Sequence, residues 1–186
     1  MKTLPFKSAA DFRKWLAANH DQVDGLWLRF FKAKSGTPSI TYAQALDQAL
    51  CYGWIDGQAQ PCDADSWLQK FTPRRARSGW SKRNTLHVER LIKGGFMTNA
   101  GLAAVEAAKA DGRWQAAYDS PRNATPPQDF LKALRKNKKA KAFFETLNRA
   151  NVYAIVYRLQ TAKKSETRER RFQNILAMLT RGEKFH

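Results

Sequence analysis

The stretch Ser66-Trp67-Leu68-Gln69-Lys70-Phe71-Thr72-Pro73-Arg74-Arg75-Ala76-Arg77-Ser78-Gly79-Trp80-Ser81-Lys82-Arg83-Asn84 marks the point where one kind of patterning gives way to another. Ser66 to Phe71 reads as a strand, and Pro73 closes it because proline cannot donate to a ladder. A loop with three arginines follows. Ser81 then stands where a helix N-cap belongs, with a helical pattern running to Lys93 and stopped by Gly94-Gly95. Everything before this stretch mixes strands with helices, and everything after it is helical. The fold class expected is α+β: a small N-terminal sheet of three or four strands with helices, followed by a mostly helical C-terminal part.

On the N-terminal side, Leu4 to Phe6 reads as a short strand and Ser8 as the cap of a helix carrying Phe12, Trp15 and Leu16. Leu26-Trp27-Leu28-Arg29-Phe30-Phe31 follows the Asp24-Gly25 turn and reads as a strand buried on both faces. Lys34 to Ser39 is a loop. Thr41 caps a second helix whose stripe is Tyr42, Ala45, Leu46, Ala49, Leu50 and Gly53. Trp54 to Gln60 and Ser66 to Phe71 form a hairpin around Pro61 to Asp65. On the C-terminal side, Thr98 opens an Ala-rich helix, and the proline-bearing segment Ser120 to Gln128 is the linker candidate. Helices are expected near 128–136, 138–147, 149–163 and 166–181. The stripes Val152, Ile155, Val156, Leu159 and Phe172, Ile175, Leu176, Leu179 imply a helical hairpin. The expected division is an α+β core over residues 1–120 and a helical segment over 121–186.

The 186 residues carry 33 Lys+Arg against 16 Asp+Glu, a formal net charge of +17. The excess is not spread evenly. Residues 1–69 hold 7 basic and 7 acidic side chains, whereas residues 70–186 hold 26 and 9. Three clusters concentrate it: Lys70 to Arg83, Lys132 to Lys141, and Arg158 to Arg171. With 43% hydrophobic and 12% aromatic residues, the chain is too rich in core formers to be a disordered basic tail. No apolar run approaches the ~20 residues of a membrane helix, and Met1 to Lys7 has no signal-like apolar core, so a soluble cytoplasmic protein is expected. Cys51 and Cys62 are too few for a disulfide framework, and His20, His87 and His186 have no ligand spacing, so neither metal nor cofactor is expected.

The basic loop is the main candidate site. A helix N-terminus offers unpaired N–H groups to an anion. Arg74, Arg75, Arg77, Ser81, Lys82 and Arg83 would add contacts, and Trp80 a stacking face. The competing reading is a solvated loop with Trp80 in the core. Tyr52, Trp54 and Asp56 form a second candidate, a small pocket. Asp56 there is either a general base or the partner of an arginine from the 74–83 loop. Arg158, Lys163, Arg168 and Arg171 form a secondary basic site, unless Glu166 or carbonyls pair with its arginines. His87 reads as a boundary residue, and Tyr153 and Tyr157, one turn apart, as packing.

Four motifs carry a resemblance over essentially the whole chain: Cys51-Tyr52-Gly53-Trp54-Ile55-Asp56; Phe71-Thr72-Pro73-Arg74 with Trp80-Ser81-Lys82; Met97-Thr98-Asn99-Ala100-Gly101-Leu102; and Tyr157 to Arg168. In these the chain resembles the bacterial YdeI/OmpD-associated family, also labelled bacteriocin-protection proteins. The resemblance implies protection against bacteriocins or antimicrobial peptides and a link to the cell envelope. It brings no reaction, cofactor or catalytic residues. It also suggests a periplasmic setting, which the missing signal core contradicts. A protein of charge +17 repels cationic peptides, so any protection is expected to be indirect. Three functions stay open. The first is a non-enzymatic protein binding an anionic small molecule, acidic protein or anionic surface. The second is a nucleic-acid-binding protein. The third is an enzyme using Tyr52, Asp56 and Arg74.

Overall fold

The computed structural model describes all 186 residues, in the order β1 (Thr3–Pro5), α1 (Ala9–Asn19), β2 (Leu26–Phe31), α2 (Tyr42–Cys51), β3 (Trp54–Pro61), β4 (Ser66–Pro73), α3 (Lys82–Lys93), α4 (Asn99–Ala110), α5 (Gln128–Lys136), α6 (Lys138–Phe144), α7 (Arg149–Gln160) and α8 (Ser165–Thr180). The α+β class with a helical C-terminal part is as expected. The chain forms two compact units, one of Met1–Ser78 and Asn84–Gln115, the other of Gly79–Arg83 and Ala116–His186.

In the first unit the sheet order is β1-β2-β4-β3. β1 runs parallel to β2, and the β2–β4 and β3–β4 pairs are antiparallel. Register places Leu26 opposite Phe71, Leu28 opposite Gln69 and Phe30 opposite Trp67, so these six share one face. Phe12 of α1 meets Phe71 at 5.8 Å, and Tyr42 of α2 meets Trp67 at 6.3 Å, which puts both helices over that face. The apolar run of β2 suggests burial on both faces, but burial alternates: Leu26, Leu28 and Phe30 are buried, while Trp27, Arg29 and Phe31 are half-buried. Helices cover only one side of this largely antiparallel sheet. On the other side the Arg29 guanidinium lies 4.7 Å over the Phe31 ring, and Arg29 Nε donates to Ser66. A bulge in β3 between Asp56 and Ala59 is filled by the buried Gln69 side chain, which donates to the Gly57 and Gln58 carbonyls. Thr41 caps α2 with a full capping box, Gln44 returning a bond to the Thr41 N–H.

In the second unit Phe130, Leu134, Ala140, Ile155, Leu159, Phe172, Ile175 and Leu179 form the core, with Phe130 and Phe172 edge to face at 5.4 Å. The expected α7–α8 hairpin is present. Helices α6 and α7 end at Phe144 and Gln160, earlier than the periodicity suggests, and just past those ends the Thr146 and Thr161 hydroxyls donate to the Phe143 and Tyr157 carbonyls. Asn137 is the single residue between α5 and α6. Its N–H donates to Leu134 O, its Oδ1 accepts from the Ala140 N–H at 3.1 Å, and its Nδ2 donates to Thr180 Oγ1 at 2.8 Å. Asn137→Ala removes the cap and the tie to α8, and should cost about 1–2 kcal/mol in urea unfolding. Asn137→Asp keeps the cap acceptor and should recover much of that loss.

Candidate anion-binding surface

The 74–83 stretch is not one site. Arg74, Arg75, Arg77 and Ser78 belong to the first unit, and Trp80, Ser81, Lys82 and Arg83 to the second. In the first, Arg74 is anchored through its N–H on Gly53 O at 2.9 Å, and Arg113 donates to Ser78 O at 3.0 Å. Arg75 and Arg77 are exposed. In the second, Ser81 forms a parallel bridge to Tyr118. The Tyr118 N–H donates to Trp80 O, and the Lys82 N–H to Tyr118 O. Trp80 is 2% exposed, so its ring packs internally and offers no face to a ligand. Lys82 Nζ meets Asp119 Oδ1 at 2.8 Å, and Gln160 donates to the other carboxylate oxygen at 2.7 Å. Arg83 is exposed.

The Lys82 ammonium, followed by Gln160, holds the Asp119 carboxyl below its ordinary range. A carboxylate with a depressed folded-state pKa stabilises the fold above the unfolded value of about 3.9, and that stability is lost as pH falls through the folded value. Lys82→Met should therefore move the acid-unfolding midpoint of the protein upward. Lys82 is mostly exposed, so the loss at neutral pH should stay below about 1 kcal/mol. Circular dichroism during acid titration reads both effects.

The Tyr52–Asp56 segment is occupied by structure. Trp54 is 1% exposed and its indole N–H donates to His20 O at 3.0 Å. Tyr52 is buried, with the His20 ring 5.2 Å and the Arg13 guanidinium 5.5 Å from its own ring. Asp56 accepts a 2.7 Å bond from the Tyr42 hydroxyl. That partner is the first residue of α2, 14 positions earlier in the chain, and is invisible to spacing rules. His87 is anchored too, its Nδ1 lying 3.0 Å from Asp47, which Arg90 also grips. Cys51 is a fully buried core residue whose thiol burial pushes up in pKa, and Cys62 is exposed.

The secondary basic site is partly neutralised. Arg168 pairs with Asp129 at 2.7 Å rather than with Glu166. Arg171 donates to Arg158 O at 2.8 Å, and Arg158 donates to Ala154 O while stacking 3.9 Å from the Phe185 ring. Lys163 is exposed.

The largest concentration of free charge lies on α5 and α6. The second unit holds 18 basic and 6 acidic side chains, against 15 and 10 in the first. Lys132, Arg135, Lys136, Lys138, Lys139 and Lys141 are all exposed, and no acid occurs between Asp129 and Glu145. Only Lys141 meets an acid, Glu145 at 3.6 Å. Lys132, Arg135 and Lys136 share one stripe of α5, because i, i+3 and i+4 positions are neighbours on a helix. Phe130 and Leu134 occupy the opposite, buried stripe. The acid-free run is the sequence signal for this surface.

Residues 4–104 match the family described as a domain of unknown function (DUF8412), and residues 123–182 match the family described as bacteriocin-protection, YdeI or OmpD-associated. No curated protein and no solved structure matches the chain.

Proposed function

We propose, for a chain that belongs to the DUF8412 family and carries a YdeI/OmpD-associated segment at residues 123–182, a non-enzymatic part in bacteriocin protection, exercised by binding an anionic cellular partner. The single observation that carries this reading is the exposed, acid-free set of six cations on α5 and α6. In this reading residues 121–186 are the binding segment and residues 1–120 its α+β companion. Arg75 and Arg77 remain a separate candidate contact on the first unit, and Arg83, Lys163 and the outer edges of Arg158, Arg168 and Arg171 a supplementary one on the second. The cytoplasmic setting expected from the sequence belongs to the same reading.

Charge decides how protection works here. A surface of this sign repels a cationic bacteriocin and attracts the anionic structures such a toxin would attack or traverse. Protection then comes from occupying or organising the anionic partner rather than from capturing the toxin. Like charges cannot approach cheaply on an exposed face where solvent screens but does not reverse the sign.

Cells lacking the chain, challenged with a bacteriocin, should regain survival with the wild type. They should not regain it with a variant carrying Lys132→Ala, Arg135→Ala, Lys136→Ala, Lys138→Ala and Lys139→Ala. The purified wild type should also be stabilised against heat by long-chain polyphosphate, and the five-site variant much less. Equal survival and equal stabilisation with both proteins would overturn the reading.

A further inference from the structure

We infer that the α5–α6 surface recognises the phosphate backbone of duplex nucleic acid, without reading its sequence. The inference rests on the anion-binding reading above and names the partner class. Three observations select it.

First, six exposed cations follow one another along two adjacent helices held on a fixed frame. Phe130, Leu134 and Ala140 anchor both helices in the core, and Asn137 ties their joint to Thr180. Lys132 and Lys136 stand one turn apart, about 6 Å along the α5 axis. Lys138, Lys139 and Lys141 continue the run on α6. A duplex presents one charge per about 1.7 Å of its length, so an array of this kind meets phosphates in any register.

Second, no large hydrophobic side chain on α5 or α6 is exposed, Leu131, Phe143 and Phe144 being partly buried against the core. The large hydrophobic side chains exposed in this protein are Met1, Leu86, Ile92, Phe96 and Tyr157, and none lies on α5 or α6. A helix that docks on a bilayer inserts an apolar face, and a protein partner is gripped by buried aromatic anchors. The apolar stripe of α5 is spent on the core instead.

Third, the groups are those that contact backbone rather than bases. Five of the six cations are lysines, compact charges on flexible stems, and Arg135 is the only fork that bidentate base recognition would use. Such contacts position a duplex and carry no sequence information.

The test is fluorescence anisotropy with a labelled duplex of about 30 base pairs, in two unrelated sequences, across salt from about 50 to about 200 mM. With four or five phosphates neutralised, log K should fall against log salt with a slope of about −4, equally for both sequences. The variant Lys132→Ala/Arg135→Ala/Lys136→Ala should flatten the slope by about 2 to 3 and weaken binding at least about tenfold near 100 mM salt. The control Lys7→Ala/Lys14→Ala/Lys34→Ala removes the same formal charge from the first unit and should leave slope and affinity nearly unchanged. Equal losses in variant and control, or a strong preference between the two sequences, would overturn the inference. Binding to phosphatidylserine vesicles through these residues, with no binding to duplex, would overturn it while the anion reading stands. Binding to neither, with no stabilisation by polyphosphate, would overturn both.

Discussion

Gly101→Ala should destabilise the protein by about 3 kcal/mol, the upper end of the range typical for forcing extra atoms into packed structure. Helix propensity alone predicts the reverse, a gain of about 1 kcal/mol for replacing glycine in a helix. The sign is decided by what lies against α4. A Cβ at position 101 would sit 2.2 Å from the Cys51 carbonyl oxygen and 2.7 Å from its carbon. These atoms belong to the last residue of α2 and cannot swing aside like a side chain. The same carbonyl accepts bonds from the Thr98 N–H at 3.1 Å and the Thr98 hydroxyl at 2.7 Å, which clamp the start of α4 onto the end of α2. Met97 Cε, 2.8 Å from the same point, is the one neighbour able to yield. Urea unfolding compared with wild type measures the loss. A stabilised Gly101→Ala protein would show that α4 does not pack this closely on α2.

The second large effect is Asn151→Ala, expected to cost about 2–3 kcal/mol. Asn151 is 1% exposed and uses both ends of its amide. Oδ1 accepts from the N–H groups of Phe185 at 3.1 Å and His186 at 3.0 Å, and Nδ2 donates to Asn148 Oδ1 at 2.9 Å and His186 O at 3.2 Å. Asn148 in turn caps α7 through the Asn151 N–H. Alanine removes the anchor of the C-terminal tail, and with it the position of the Phe185 ring under Arg158. A double-mutant cycle isolates this role. In a protein lacking residues 185 and 186, Asn151→Ala should cost no more than about 1 kcal/mol, because two acceptor bonds and one donor bond are already gone. An undiminished cost in that background would mean that Asn151 acts through α7 alone.

These two residues mark where reading the sequence succeeds and where it stops. The Thr98 cap and the stripes of α2, α7 and α8 are legible because they follow local periodicity, and so is the hairpin of β3 and β4. Gly101 is visible only as an odd glycine in an Ala-rich helix, since the carbonyl that forbids a side chain comes from 50 positions earlier. Asn151 reads as a poor helix former, and its value lies in a tail 34 residues away. The one-sided burial of β2 also escapes local reading, because the run Leu-Trp-Leu-Arg-Phe-Phe is apolar on both faces and only the placement of α1 and α2 decides between them.

The candidate site shows the same division. Net charge and its clusters are additive properties and can be counted from the sequence. Which cations stay available is a property of partners. Contiguity made Arg74 to Arg83 look like one loop, yet Trp80 packs internally, Lys82 meets Asp119 and the chain changes unit after Ser78. Arg168 found Asp129, an acid on α5, rather than the nearby Glu166. Five of the six cations of α5 and α6 meet no acid, Lys141 alone reaching Glu145, because their stretch contains none and their apolar neighbours turn the opposite face inward.

In the function proposed, affinity for anions comes from this one surface rather than from the total charge. Salt elution from a heparin column separates the two. The five-site variant at Lys132, Arg135, Lys136, Lys138 and Lys139 is compared with a variant losing Lys2, Lys7, Lys14, Lys34 and Lys93, each position changed to alanine and the formal charge equal in both. The five-site variant should elute at far lower salt than the wild type, and the control close to it. Coelution of the two variants would mean that total charge, and not the α5–α6 surface, sets the affinity.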